Sequence, residues 1–278
     1  MLRLVSWNIN RSDEAWRTLV QMKDVDAAIL QEAKPPPDDV KNQVALDMDP
    51  PWYTGGAGLH RPWRAAVVGL SKRVAMEPLV AKTIQDAEPG ELAVSRVGTL
   101  AVARLMIPDT PRPFIIASMY GAWERPASVT ESSWIYADAS VHRVISDLSA
   151  LVGRQNGHRI IAAGDLNILR GYGEEGSRYW KNRYETIFAR MEALGLVYAG
   201  PTLPDGGIPP LVRPPELPAD STTVPTFRTS RSEPESATRQ LDFVFVSAEL
   251  VGRVEVRAMN DQAEWGPSDH SRLLIEIA

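Results

Sequence analysis

Apolar residues fall along this chain in short runs separated by polar, glycine and proline clusters. Nine runs predict β-strands: Leu2–Trp7, Ala27–Gln31, Arg64–Ser71, Thr99–Ile107, Pro113–Met119, Arg159–Gly164, Leu241–Ser247, Val254–Met259 and Arg272–Ile277. Arg272–Ile277 alternates apolar and polar positions, as a half-buried strand does. Ile160–Ala163 is continuously apolar, which predicts a strand covered on both faces. Three segments follow a helical period instead. Ser12, Asp13 and Glu14 offer an N-cap and an acidic first turn, after which Trp16, Leu19 and Val20 share a face. Trp134, Ala137, Val141, Val144, Ile145, Leu148 and Leu151 recur at helical spacing. So do Trp180, Tyr184, Ile187, Phe188, Met191 and Leu194, with Gly195 as the expected C-cap. Stripes at this spacing face a core, so their Trp and Tyr residues are assigned to packing rather than to a ligand.

Proline breaks the pattern once. Pro201–Pro234, with Pro209-Pro210 and Pro214-Pro215 inside it, predicts a long irregular excursion around residues 200–235. Such an excursion is either a substrate loop or a surface insertion without a role. Strands resume after it, so it marks no domain boundary. Strands interspersed with three helices, and chemistry-bearing residues near both ends of the chain, predict one α/β domain over residues 1–278.

Composition narrows the function. With 278 residues and 44% hydrophobic content, the chain can bury one large core or two small ones. The net charge of −5 excludes a generic polybasic coat for DNA, so any nucleic-acid contact must use local clusters. There is no cysteine, which excludes disulfides and thiolate zinc sites. The first residues turn polar at Ser6 without a signal-peptide core, and no apolar run reaches the ~20 residues of a membrane helix. A cytoplasmic protein with no membrane partner is expected. Nothing in the pattern singles out an interface between copies.

Several predicted strands end on residues suited to chemistry. Glu32 follows the run Ala27–Gln31, and a carboxylate at a strand end can enter a cleft as a hard oxygen ligand for Mg²⁺ or Mn²⁺. Asp165 and Asn167 follow a buried strand at a two-residue spacing that puts both side chains on one face. An Asp there can take a proton from water while the Asn orients it. Adjacent Asp269 and His270 face opposite ways in an extended strand, so His270 needs another carboxylate. Asp242 is the candidate, to fix the tautomer and stabilise the imidazolium. Asp269 is then free for a metal or its water. Asn8 and Asn10 end the first strand as neutral amides able to hold a phosphate oxygen or a metal water. Tyr120 ends Phe114–Met119 and could donate its phenol to developing negative charge. Neither a Gly-x-Ser-x-Gly elbow nor a Walker loop is present, and Gly55–Gly58 reads as a flexible loop.

Taken in order, Trp7-Asn8-Ile9-Asn10, Gln31-Glu32, Tyr120, Gly164-Asp165-Leu166-Asn167, Leu241-Asp242-Phe243 and Ser268-Asp269-His270 resemble the endonuclease/exonuclease/phosphatase superfamily. This is the fold of deoxyribonuclease I and of exonuclease III. The resemblance spans residues 2–277. It implies a four-layer α/β sandwich, two packed mixed β-sheets flanked by helices, with the site at one edge of both sheets. It implies Glu32 as the main metal ligand with Asn8 and Asp269 near the metal. Asp165 and Asn167 would hold the attacking water. His270, oriented by Asp242, and Tyr120 would lie near the scissile phosphate. Asn10 stands where the superfamily often has Asp. Tyr120 continues as Gly121-Ala122-Trp123, without the Asn that abasic-site endonucleases carry shortly after it.

The activity implied is Mg²⁺- or Mn²⁺-dependent phosphoester hydrolysis, with a nucleic-acid substrate expected first. Clusters His60-Arg61-Pro62-Trp63-Arg64, Arg170, Arg178–Arg183 and Arg228–Arg239 neighbour the catalytic elements, as phosphate contacts should. Arg61, Arg64, Arg170 and Arg228, with Asn10, are the substrate-binding candidates. Two alternatives remain open: hydrolysis of a small phosphorylated metabolite or inositol phosphate, and a non-catalytic binding module on the same scaffold.

Overall fold

The computed structural model describes residues 1–46, 52, 54, 61–88, 91–108, 110–124, 135–152 and 158–278. His60, Trp134 and the Gly55–Gly58 loop lie outside the described residues. In chain order the elements are β1 (Leu2–Asn8), α1 (Asp13–Gln21), β2 (Ala27–Ala33), β3 (Ala45–Leu46), β4 (Arg64–Gly69), β5 (Ala75–Leu79), β6 (Ala81–Thr83) and β7 (Leu92–Val94). They continue with β8 (Leu100–Met106), β9 (Phe114–Tyr120), α2 (Ala137–Val152), β10 (Ile160–Asp165), α3 (Arg178–Ala193), β11 (Leu196–Gly200), β12 (Asp242–Ser247), β13 (Val254–Met259) and β14 (Arg272–Ile277). The nine strands and three helices read from the sequence all form. Helix α1 starts where expected, with Ser12 Oγ accepting from the Ala15 amide at 3.2 Å. Gly195 closes α3 at φ +74°.

Twelve strands build two six-stranded mixed sheets, ordered β13-β14-β1-β2-β4-β3 and β11-β12-β10-β9-β8-β5, and β6 and β7 pair in parallel as a separate two-stranded sheet. Alternation along each strand decides which core a residue joins. Leu2 and Leu4 of β1 meet Ile161 and Ala163 of β10 in the core between the sheets. Val5 and Trp7 of β1 turn the other way and pack with Trp16 and Leu19 of α1. Ile160 and Ala162 of β10 likewise turn out to meet Val141 and Ile145 of α2 and Ile187 of α3. Helix, sheet, sheet and helix pair are therefore four layers, and the continuous apolar run Ile160–Ala163 is covered on both faces.

The short strands β3, β6 and β7 are additional to the sequence reading, as are β5 and β11. The proline-rich excursion forms no strand. It contributes isolated bridges that pair Phe227 with Arg239 and with His270, which draws its later part against the edge of both sheets.

Candidate active site

Strand register brings the chemistry to one edge. β1 and β2 run parallel with Asn8 opposite Gln31, and β9 and β10 run parallel with Tyr120 opposite Asp165. β12 runs antiparallel to β10 and starts with Asp242 opposite Asp165. The approach of β9 to the end of β10 admits no side chain at position 164. A Cβ on Gly164 would lie 1.8 Å from the Met119 carbonyl oxygen. Gly121 is equally confined, its Cβ falling 2.2 Å from the Leu166 oxygen.

Glu32 is aimed by a bulge. The register of β2 on β4 slips between Leu30 and Ala33, and Glu32 takes φ +48°. For a non-glycine residue this conformation costs about 1–3 kcal/mol, and bulges recur where a side chain must be redirected. Asn10 and Arg11 share it, at φ +42° and +59°. The Arg11 amide donates to the Glu32 carbonyl at 3.0 Å and ties the two strained turns together.

Asp165, Asp242 and His270 are almost fully enclosed, at 1%, 1% and 4% exposure. Buried charges persist only when paired, and these are. His270 Nδ1 lies 2.8 Å from Asp242 Oδ2, and its Nε2 lies 3.7 Å from Asp165 Oδ2. Asp165 Oδ2 accepts from Asn8 Nδ2 at 2.9 Å and from Asn167 Nδ2 at 3.1 Å, and Oδ1 accepts from the Asn167 amide at 3.0 Å. Asn8 thus links the first sheet to the second. Trp7 Nε1 donates to the His270 carbonyl at 2.9 Å, and Ser268 Oγ donates to the Asn8 carbonyl at 2.7 Å.

Burial pushes the Asp165 carboxyl above the usual carboxylate range, against the opposing pull of the His270 ring. Burial alone would depress His270; Asp242 and Asp165 outweigh it and hold the imidazolium above its ordinary value. The direction is the one the Asp242 pairing predicts. The Tyr120 phenol is pushed well above its ordinary value by burial and then by the neighbouring Glu32. Its hydroxyl donates to Glu32 Oε1 at 3.1 Å, so Tyr120 positions that carboxylate.

Two sets of donors bear on a divalent ion. Asp165, Asp242 and His270 bring ligand atoms within 4.8 Å of one another. There, however, His270 Nδ1 is committed to Asp242, and Asp165 to the two amides. Glu32, Asn8 and Asp269, which the resemblance implies for the metal, line one cavity together, with Asn8 Oδ1 also accepting from the Asn10 amide at 3.0 Å. They offer two carboxylates and an amide oxygen, a hard donor set that fits Mg²⁺ or Mn²⁺. The Glu32 carboxylate is held in place by Tyr120 and by Arg11, whose Nε lies 3.5 Å from Oε2.

All these groups except Asp242 border one cavity of about 760 Å³. Asn10 borders it too. The arginines divide. Arg61 lies over the Trp63 ring at 5.4 Å, Trp63 meets Tyr120 edge-on at 5.0 Å, and neither Arg61 nor Trp63 borders the cavity. Arg64, Arg170 and Arg228 do not border this cavity. Arg64 starts β4 and is buried over the Trp52 ring at 4.2 Å. Left-handed turns at Asn167 and Gly171 flank Arg170, which lies over Tyr198 at 4.3 Å. Arg228 donates to the Ser232 and Ser268 carbonyls and braces the segment before Asp269. In their place the cavity receives Arg11 and Arg239, the latter paired with Glu174 at 3.1 Å. Arg239 was recognisable only as one of a cluster. Arg11 and Glu174 carried no signal beyond the neighbourhood of Asn10 and a stretch of turn residues. Trp180 and Tyr184 belong to the core as expected, yet each also presents an edge to the cavity.

A strand-end site of this kind, on two mixed sheets between helices, has a counterpart among known families. The sequence matches the Endonuclease/Exonuclease/phosphatase family over residues 5–270. The chain belongs to this family, whose members are phosphoester hydrolases that use divalent metal ions. Solved structures share the fold. An AP endonuclease from Leishmania major aligns with TM-score 0.64 and 16% identity, over 99% of this chain and 87% of that one. A 3' phosphatase from Neisseria, bound to a product DNA hairpin, aligns at 0.57 and 14%, over 100% of both chains. A mannosyl-6-phosphatase from Bacteroides thetaiotaomicron aligns at 0.57 and 16%, again over 100% of both. At these identities the likeness is one of fold. No curated protein matches the sequence. Among the described residues, no helix is long and apolar enough to cross a membrane.

Proposed function

We propose that this protein is a Mg²⁺- or Mn²⁺-dependent phosphodiesterase that hydrolyses nucleic acid. One observation carries the chemistry: Asp165 with its two amide donors, the Asp242–His270 pair and Glu32 converge on a single cavity. Asn8 and Asn167 hold Asp165 by hydrogen bonds, which supports it as the group that orients water and takes its proton. His270 is kept protonated by two carboxylates. That favours a donor role, with Nε2 offering its proton to a non-bridging phosphoryl oxygen. Asp242 fixes the tautomer. Tyr120 holds Glu32, and Arg11 adds a second cation beside it. A divalent ion on Glu32, Asn8 and Asp269 would supply charge neutralisation at the phosphoryl and leaving oxygens. Arg11, Arg239 and the aromatic walls of the cavity support a nucleotide as the substrate unit, and one structure of like fold carries a DNA product.

A specific observation favours a second reading. A polymer needs a line of phosphate contacts, and Arg64, Arg170 and Arg228 do not border the cavity. This suits hydrolysis of a small phosphoester on the same groups.

The test is a panel of single- and double-stranded DNA, abasic duplex, RNA and a small aryl phosphodiester. Each is incubated with Mg²⁺, Mn²⁺ or EDTA, with Asp165→Asn as control. Metal-dependent cleavage of a polymer that the variant loses is expected. Hydrolysis confined to the aryl ester would replace the first reading with the second, and inactivity throughout would refute both.

A further inference from the structure

The cavity has two chemically distinct halves. One is lined by the oxygen and imidazole groups already described. The other is mainly aromatic and apolar, with Trp123, Ile135, Trp180, Tyr184, Phe227 and Leu241 in its walls and Thr229 and Ser230 following Phe227. Into this second half the Glu174–Arg239 ion pair is set, with Arg239 Nη2 3.1 Å from Glu174 Oε2. Phe227 joins the halves. Its backbone bridges to both Arg239 and His270, and its ring lies 5.0 Å from the His270 ring. A group attached to a phosphate at His270 would therefore lie against Phe227 with its far edge towards Arg239 and Glu174. The volume, about 760 Å³, exceeds what a phosphate alone requires and falls in the range of pockets for whole organic ligands.

From this the geometry points to a nucleobase subsite: the phosphoester hydrolysed here carries one unpaired purine or pyrimidine ring, received in the aromatic half and read at its edge by Glu174 and Arg239. This rests on the nucleic-acid reading above and narrows it. A base has two apolar faces and one polar edge, which matches apolar walls with a single charged pair. A sugar presents hydroxyls on all sides; Thr229, Ser230 and Tyr184 can meet only part of them, and those turned to Ile135, Trp180 and Leu241 would be left without partners. The guanidinium offers donors to a ring carbonyl or nitrogen, and the carboxylate accepts from ring or exocyclic N–H groups. Guanine supplies both on adjoining atoms, so it is the base expected to bind best. Trp123 is 53% exposed at the cavity mouth, where a large aromatic ring free to stack is otherwise a liability. A base paired within a duplex cannot enter, so the ring comes either from a single-stranded end or from a free small nucleotide.

The test uses Asp165→Asn protein in Mg²⁺, where turnover is suppressed, and follows tryptophan fluorescence. Guanosine, adenosine, cytidine and uridine 5'-monophosphates are compared with ribose 5-phosphate, which lacks only the base. Stacking predicts that the nucleotides bind at least about tenfold tighter, guanosine monophosphate first. Trp123→Ala, a truncation at an exposed position, should bring the nucleotides to within about threefold of ribose 5-phosphate. Glu174→Gln should level the differences among the four bases. Equal affinity for nucleotide and ribose phosphate overturns the subsite, and an unchanged base ranking in Glu174→Gln overturns its edge reading. Cleavage by the active protein then separates the two sources. Preference for a single strand over its duplex indicates a strand end. Base-dependent binding with hydrolysis only of dinucleotides indicates a free nucleotide, refuting the polymer reading while the subsite stands.

Discussion

Replacing Asp242 with Asn tests the buried charge arrangement at its most exposed assumption, that His270 is a cation. The side chain keeps its shape, and an amide oxygen can still accept from Nδ1, so packing is preserved while one charge is removed. In the native protein the ring faces two carboxylates, at 2.8 Å and 3.7 Å, against the opposing effect of burial. The variant leaves burial opposed by Asp165 and, more weakly, by Asp269. An opposite charge at such range shifts a pKa by about 1–3, so a fall of about 2, or about 3 kcal/mol, is expected. The sign follows from linkage. The folded pKa of His270 lies above the unfolded value, so its stabilisation is complete below the ordinary 6.5 and is lost as pH rises through the raised native value. The stability gap between native protein and variant should thus be about 3 kcal/mol at acid-to-neutral pH and close in alkali. Urea unfolding at a series of pH values measures the gap, and proton NMR of the metal-free protein measures the His270 titration directly. In parallel, kcat should fall by about 10²–10⁴. A gap that does not vary with pH, together with an unmoved His270 titration, would refute the cationic pair.

Asp165→Asn should lower kcat by about 10²–10⁴ while leaving circular dichroism and the melting temperature near native, since the amide can keep most of the local hydrogen bonds; retention of more than a tenth of the activity would remove Asp165 from the chemistry. Glu32→Gln should weaken Mn²⁺ binding at least about tenfold by calorimetry, whether or not substrate is present, and unchanged affinity would place the ion elsewhere. Gly164→Ala puts a methyl group 1.8 Å from a carbonyl oxygen, so soluble folded protein should be lost. A native melting temperature in that variant would show that β9 can move away.

The strands and helices were legible because they are apolar runs that need no distant information, whereas their stacking into two packed sheets followed only from the family resemblance. What escaped was local and partly exposed. β5 carries Pro78 and Glu77 and is half exposed on the sheet edge, and β6 and β7 have three residues each. β11 is an apolar run directly after a helix cap, and its partner β12 lies beyond the whole proline-rich excursion. In the site, the strand-end residues stood out because a carboxylate or amide after an apolar run is conspicuous. The arginines did not, because sequence neighbourhood says little about direction. Arg170 is three residues from Asn167 and yet turns to Tyr198, while Arg239 crosses back to the cavity through its bridge to Phe227. Glu32 was found by its position, but its left-handed backbone was not, since nothing in Gln31-Glu32-Ala33 announces a bulge.

The bonds that join Trp7 to the His270 carbonyl and Asn8 to Ser268 span 263 and 260 positions of the chain. A ribosome making this protein therefore delivers Asn8, Glu32 and Asp165 long before the segment that completes them. Until residues 268–270 have emerged and β14 has paired with β1, the growing chain carries unpaired carboxylates at an open sheet edge and lacks its imidazole. On the roles proposed above, a chain cut short before Ser268 would lack both His270 and the bonds that tie Asn8 and Trp7 to the second half of the site, and should be inactive.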